Sequence, residues 1–197
     1  EWDRLTDDLC SASRSLAAAG KKDEAFKLIT DNEGRHAGEP EWEAQKMLLL
    51  AGIGKPEDSL HTAVKLLKSG ALAASMAGGY IETLIDSRSF TEALSFVKIL
   101  TEIDTSPVWR LYNALLMAET GNRSKSAPIV RAVRTAAPDD LELAVECVNV
   151  LMRCRLYPEA LELARFLALK NPQREQMQLL AAACHTALGH TAEAREA

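Results

Sequence analysis

The 197-residue chain carries 23 lysines and arginines against 28 aspartates and glutamates, a formal net charge of -5 with an isoelectric point near 5.5. That balance disfavours a binder of phosphate backbones, which normally presents a basic stripe. No run approaches the roughly 20 apolar residues needed to span a bilayer, and the scarcity of aromatics (5%) beside abundant Ala and Leu predicts an almost purely α protein.

Taken in order, the first helix is expected over residues 5–19, with Gly20 as a left-handed stop and Asp23 complementing the positive end of a second helix over 23–32. Residues 31–40, with Gly34 and Gly38, form the longest breaker-rich connection and are read as mobile. A second pair runs over 40–52 and from Pro56 to Gly70, where Pro56 suits a first helical position because its missing N–H had no partner. In a third pair, 72–87 and 90–103, Gly78 and Gly79 sit inside the first helix at a cost of about 1 kcal/mol each relative to Ala, and are read as thinning it for close packing or ligand approach. A fourth pair covers 107–120 and 123–136, a fifth 139–153 and 158–170, and a sixth starts after Pro172 and re-enters the motif at 191–194 as the chain stops.

A fixed interval underlies this order. Ala25, Ser59, Ala93, Ser126, Ala160 and Ala194 are separated by 34, 34, 33, 34 and 34 residues. That is the period of stacked helix–turn–helix repeats. Leu16, Leu50, Leu84, Ala118, Leu151 and His185 form a second column, with Ser13, Met47, Ile81, Leu115, Val148 and Ala182 three residues earlier on the same helical face. The 33-residue interval is assigned to a one-residue deletion in the turn near Gly121.

On the period, the turn glycines Gly20, Gly54, Gly121 and Gly189, the pairs Glu24-Ala25, Glu92-Ala93, Glu159-Ala160 and Glu193-Ala194, and Pro138 and Pro172 at unit ends, the chain resembles the tetratricopeptide repeat family across essentially its whole length. The resemblance implies an all-α, right-handed superhelical solenoid of antiparallel helix pairs. The expected organisation is a single array over 1–197, with units 5–36, 40–70, 72–104, 107–137, 139–171 and a partial 172–197. It also implies a concave groove, lined by the first helix of each pair, that grips a peptide or partner helix. The sequence departs from the family in replacing most large aromatics of the first helices by Leu or Ala and in carrying Glu43 where a core residue is usual. The related pentatricopeptide arrays, which read RNA, are usually basic, and the acidic balance argues against them.

If the family's groove positions carry over, they include Asp7, Cys10, Arg14, Glu41, Ala44, Gln45, Leu48 and Gly78, with Glu142 and Arg153 later. The partner-binding set is placed at Glu82, Ile85, Asp86, Trp109, Tyr112, Leu116, Glu119, Val145, Glu146, Asn149 and Met152. Seven acids against two arginines in the whole groove set predict a partner segment combining basic and apolar residues, with Trp109, Tyr112, Leu116 and Met152 as anchors. The competing account packs Trp109 and Tyr112 between repeats. At the places where some members hold a chaperone tail with Lys, Arg and Asn, this chain carries mainly Glu, Gly and apolar residues.

No catalytic, cofactor or metal site is expected. His36, His61, His185 and His190 have no ligand spacing, and the adjacent Cys184 and His185 point about 100° apart on a helix. The four cysteines, Cys10, Cys147, Cys154 and Cys184, are read as free thiols on apolar faces, and Cys147 and Cys154 lie two turns apart, beyond disulfide reach. Free thiols favour a cytoplasmic location, with the periplasm as the alternative if Glu1 is a processed start. Function is expected to be a non-catalytic interaction scaffold or adaptor for protein or peptide. The alternatives are the substrate-recognition arm of a larger transferase-type enzyme and a dimerisation module, a homo-oligomer being suggested by apolar surface at Leu179, Leu180 and Ala183 on an uncapped final helix.

Overall fold

The computed structural model describes residues 2–189. The re-entry of the motif at 191–194, with His190 and Ala194, lies outside them. Among the described residues the chain is helical with no strand, and it divides into two compact units, 1–100 and 101–197. The first holds α1 (Trp2–Ala18), α2 (Lys22–Asp31), α3 (Glu33–His36), α4 (Pro40–Gly52), α5 (Pro56–Lys68), α6 (Ala74–Asp86) and most of α7 (Phe90–Ile103). The second holds α8 (Pro107–Glu119), α9 (Ser126–Ala136), α10 (Leu141–Arg153), α11 (Tyr157–Lys170) and α12 (Glu175–Ala187). We call α1, α4, α6, α8, α10 and α12 the A helices, and α2, α5, α7, α9 and α11 the B helices.

The A helices from α1 to α10 end in the same backbone device. In the first turn Lys21 N donates to Leu16 O (2.9 Å) and Gly20 N to Ala17 O (3.0 Å), and the same two bonds recur at residues 54–55, 88–89, 121–122 and 155–156. This double closure satisfies carbonyls that a helix end leaves orphaned, and it needs one residue at positive φ. Gly20 (80°), Gly54 (82°), Gly121 (88°) and Gly189 (79°) supply it, but Arg88 (59°) and Arg155 (57°) hold it in the third and fifth repeats. A non-glycine residue there costs about 1–2 kcal/mol.

After the turn, every small marker residue reaches the A helix. Ala25, Ser59, Ala93, Ser126 and Ala160 are all at 0% exposure, because a larger side chain would push the two helices apart. Where the marker is serine, its hydroxyl is satisfied by the facing helix: Ser59 Oγ donates to Met47 O (2.8 Å) and Ser126 Oγ to Ala114 O (2.6 Å). The apolar columns are the core, with Met47, Leu50, Ile81, Leu84, Leu115, Ala118, Val148 and Leu151 all buried, together with Phe96 edge-on to Tyr80 at 5.0 Å.

These bonds correct the register of the fourth repeat. Ser126 pairs with Ala114 as Ser59 pairs with Met47, and Asn122 N closes on Met117 O as Lys55 N closes on Leu50 O. The equivalents of Met47 and Leu50 are therefore Ala114 and Met117, not Leu115 and Ala118, and the missing residue precedes α8. It falls in the 104–106 connection, three residues long against four at 137–140 and 171–174. The turn near Gly121 keeps its full length. It contains a 3-10 stretch, Arg123–Lys125, closed by Lys125 N on Asn122 O (2.9 Å) and by Ser126 N on Arg123 O, and Pro128, within the first turn of α9, has no N–H to donate.

Two further expectations change. The 31–40 connection contains the short helix α3, pinned by His36, which is buried against Trp42 with ring centroids 4.6 Å apart. Trp42 also fills the core that Glu43 vacates, leaving Glu43 to accept from Gly38 N. A Cβ on Gly78 or Gly79 would meet no atom within 4 Å, so close packing does not require either glycine. Replacing Gly78 or Gly79 by Ala is accordingly expected to stabilise the chain by about 1 kcal/mol each, read as a raised midpoint in urea with an unchanged slope.

Candidate functional site

The A helices neighbour one another within each unit, α1 with α4 and α4 with α6 in the first, α8 with α10 in the second. Each unit therefore presents its own A-helix face. In the first unit the face holds a cleft of about 390 Å3 lined by Arg14 from α1, Gln45, Leu48 and Gly52 from α4, Thr83, Asp86 and Ser87 at the end of α6, and Lys22 from α2. Arg14, Gln45, Leu48 and Asp86 are groove positions expected from the sequence. Gln45 is buried and donates to Ser13 Oγ (3.3 Å), and Lys22 crosses Gly52 with its Cδ 3.5 Å from where a Cβ would stand. Arg14 pairs with Glu41 at 3.3 Å, both half-exposed, which fixes their orientation more than it stabilises the fold. Glu82 and Ile85 are half-buried on α6 and Asp86 is exposed. Cys10 and Ala44 are core residues, and burial raises the Cys10 thiol to about 11.

On the A-helix face of the second unit, where α8 contacts α10, Tyr112, Val145, Asn149 and Met152 are half-buried and the carboxylates Glu119, Glu142 and Glu146 are exposed. Asn149 Nδ2 donates to Glu146 Oε1 at 3.4 Å. Trp109 and Leu116 do not belong to the exposed part of this face. Leu116 has no exposed surface and Trp109 only 5%. The corrected register explains both: Trp109 stands 17 residues before Ser126, as the fully buried Trp42 stands 17 before Ser59, and Leu116 occupies the position of the buried Leu49. Trp109 instead holds the start of α8. Its indole N–H donates to Asp104 Oδ2 (2.7 Å), Ser106 N donates to Asp104 Oδ1 (2.9 Å), and its ring stacks on Tyr112 with centroids 6.2 Å apart. The indole bond, then the Ser106 amide, holds the Asp104 carboxyl below its ordinary range.

Among the described residues the histidines and cysteines gather into no reactive set. Cys10, Cys147, Cys154 and Cys184 are buried free thiols, raised by burial, and among the described residues no three His, Cys, Asp or Glu side chains converge as a metal site. His36 Nδ1 lies 2.9 Å from Thr6 Oγ1 and 3.3 Å from Glu39 Oε1, a core network that ties α3 to α1. Two concavities escaped sequence reasoning. One, of about 250 Å3, lies between B helices α9 and α11, with Arg131 and Arg134 facing Glu159 and Glu162 over Leu163 and Phe166. The other lies where the turns after α8 and α10 approach, beside Arg123 and Arg155.

No family model matches the sequence, and no curated protein matches it either. Solved structures do match in fold. A tetratricopeptide repeat protein from Parabacteroides merdae superposes with a TM-score of 0.59 at 12% identity, covering 96% of this chain and 76% of its own. The pilF protein of Pseudomonas aeruginosa gives 0.55 at 14% identity over 99% of this chain and 89% of its own. A thermophilic TPR protein from Thermus thermophilus gives 0.50 at 18% identity over 90% and 97%. The chain has the tetratricopeptide-repeat fold.

Trp109→Ala is expected to lower stability by about 3–5 kcal/mol, the cost of emptying a buried aromatic site, measured by denaturant unfolding. Asp104→Asn tests the carboxylate. A depressed carboxyl stabilises the fold above its unfolded pKa, about 3.9, and that contribution disappears as pH falls through the folded value. The wild type is therefore expected to exceed Asp104→Asn in stability by a constant margin above about pH 5 that vanishes on acidification.

Proposed function

We propose, from the tetratricopeptide-repeat fold, that this chain is a non-catalytic interaction scaffold that receives a peptide or partner helix on its A-helix faces. The observation that carries this reading is the first-unit cleft, whose lining from α1, α4 and α6 includes Arg14, Gln45, Leu48 and Asp86, four of the groove positions that the family resemblance implies. In the second unit the proposed contacts are Tyr112, Val145, Asn149 and Met152, rimmed by Glu119 and Glu146; in the first they are Glu82, Ile85 and Asp86. Half-buried apolar side chains beside exposed carboxylates favour a segment carrying Leu or Phe flanked by Lys or Arg, since apolar anchors supply affinity and charge supplies steering. The small-residue marker continues across residues 100–101 at an interval of 33, from Ala93 to Ser126, one residue short of the 34 elsewhere, which favours one array over two independent modules. A homo-oligomer through α12, where Leu179 is exposed, is the secondary reading.

A peptide array that varies the spacing of Lys and Leu, followed by fluorescence anisotropy on the best sequence, tests the scaffold reading. The Tyr112→Ala/Met152→Ala double variant is expected to weaken binding by about 2 kcal/mol or more, by the scale of interface anchors, with the unfolding midpoint little changed, and added salt is expected to slow association. Full affinity in the double variant at any salt concentration overturns the assignment of this face.

A further inference from the structure

The turns that close α8 and α10 meet in the second unit at a polar pocket of about 350 Å3. Its walls carry Arg123, Arg153 and Arg155 against a single carboxylate, Glu119, and Gly121 and the buried Cys154 complete the lining. Three guanidiniums thus gather in a chain whose formal charge is -5. The backbone makes the third of them costly: Arg155 occupies the left-handed position (φ 57°) that glycine holds in four other repeats. Capping does not account for it. The last carbonyls of α10 are already closed by Arg155 N on Met152 O and Leu156 N on Leu151 O, each at 2.9 Å. Among the described residues, no side-chain hydrogen bond or ion pair engages Arg123 or Arg155.

We propose that this pocket receives a phosphate monoester carried on a partner protein. The charges match: three guanidiniums balance Glu119 and a phosphate close to dianionic at neutral pH. The chemistry matches as well, because planar guanidiniums offer paired N–H donors to tetrahedral oxyanions, and arginine clusters are a recurrent means of reading phosphorylated segments. Glu119 also borders the A-helix face, but the pocket binds phosphate whether or not that face binds a peptide, so the two readings fail separately.

The arginine Nε–H resonances of the whole chain, followed by NMR at constant ionic strength, provide the test. The titrants are inorganic phosphate, a phosphoserine peptide and its unphosphorylated twin. Saturable shifts at Arg123, Arg153 and Arg155 are expected with phosphate and with the phosphopeptide, and not with the twin. The phosphopeptide response should weaken as pH falls through about 6, where the monoester loses its second charge, and the response to inorganic phosphate, whose second proton is held more tightly, should weaken at a higher pH. Arg155→Gly is the decisive variant, because it installs the residue that the turn prefers. The thermal midpoint should hold or rise while phosphate affinity falls about tenfold or more, the scale of a charge-assisted hydrogen bond. Unchanged affinity in Arg155→Gly, no saturable response to phosphate, or an equal response to the unphosphorylated twin overturns the proposal. Binding of free phosphate with exclusion of the phosphopeptide overturns its partner.

Discussion

Everything in this fold depends on how closely each B helix approaches the A helix before it. The five described marker residues are Ala or Ser with no exposed surface, and two of the serines bond directly to a facing main-chain carbonyl. Contact at that range fixes the helix pair before any large side chain is placed. The Leu, Met, Ile and Phe residues of the columns then pack around a spacing already determined. The left-handed turn is the second half of the same constraint, since it returns the chain so that the marker arrives nine residues after the carbonyl that closes the preceding helix, as Ala25 follows Leu16 and Ser126 follows Met117.

The parts of this architecture legible in the sequence are those where few residue types fit. Period, turn glycines and small markers are of that kind, and the all-helical fold follows from them. The register of α8 was not legible, because Ala114-Leu115-Leu116-Met117-Ala118 offers small and apolar residues at every step, so a shift by one leaves an equally plausible column. Only the Ser126 and Asn122 hydrogen bonds choose between them. That single step displaced the candidate site, turning the core residues Trp109 and Leu116 into apparent groove anchors. Tyr112, Val145, Asn149 and Met152 keep partial exposure, as does the Glu82, Ile85 and Asp86 set in the first unit.

The arginines at positive φ show a different limit. Position 88 stands 34 residues after Gly54, and position 155 stands 34 before Gly189, so the columns locate the site at which the conformation occurs. Nothing in an arginine reports that its backbone is left-handed. A strained non-glycine residue in one repeat, where sibling repeats hold glycine, sets an internal standard against which the side chain's presence requires an explanation. The clefts were hidden for a related reason, being assembled from turns and from helix faces that no single repeat contains.

The bonds that tie helix to helix reach only short distances along the chain: 12 residues for Ser59 to Met47 and for Ser126 to Ala114, 32 for Gln45 to Ser13, and 40 for Cys154 to Ala114. Closing loops of that size costs little entropy, and each added doubling of length adds only about 0.6 kcal/mol. A helix pair thus forms from its own neighbourhood and offers a template to the next, so structure spreads outward from whichever pair forms first. Damage obeys the same locality: a lesion in one pair opens that pair and its immediate neighbours, while more distant repeats retain their protection from hydrogen exchange.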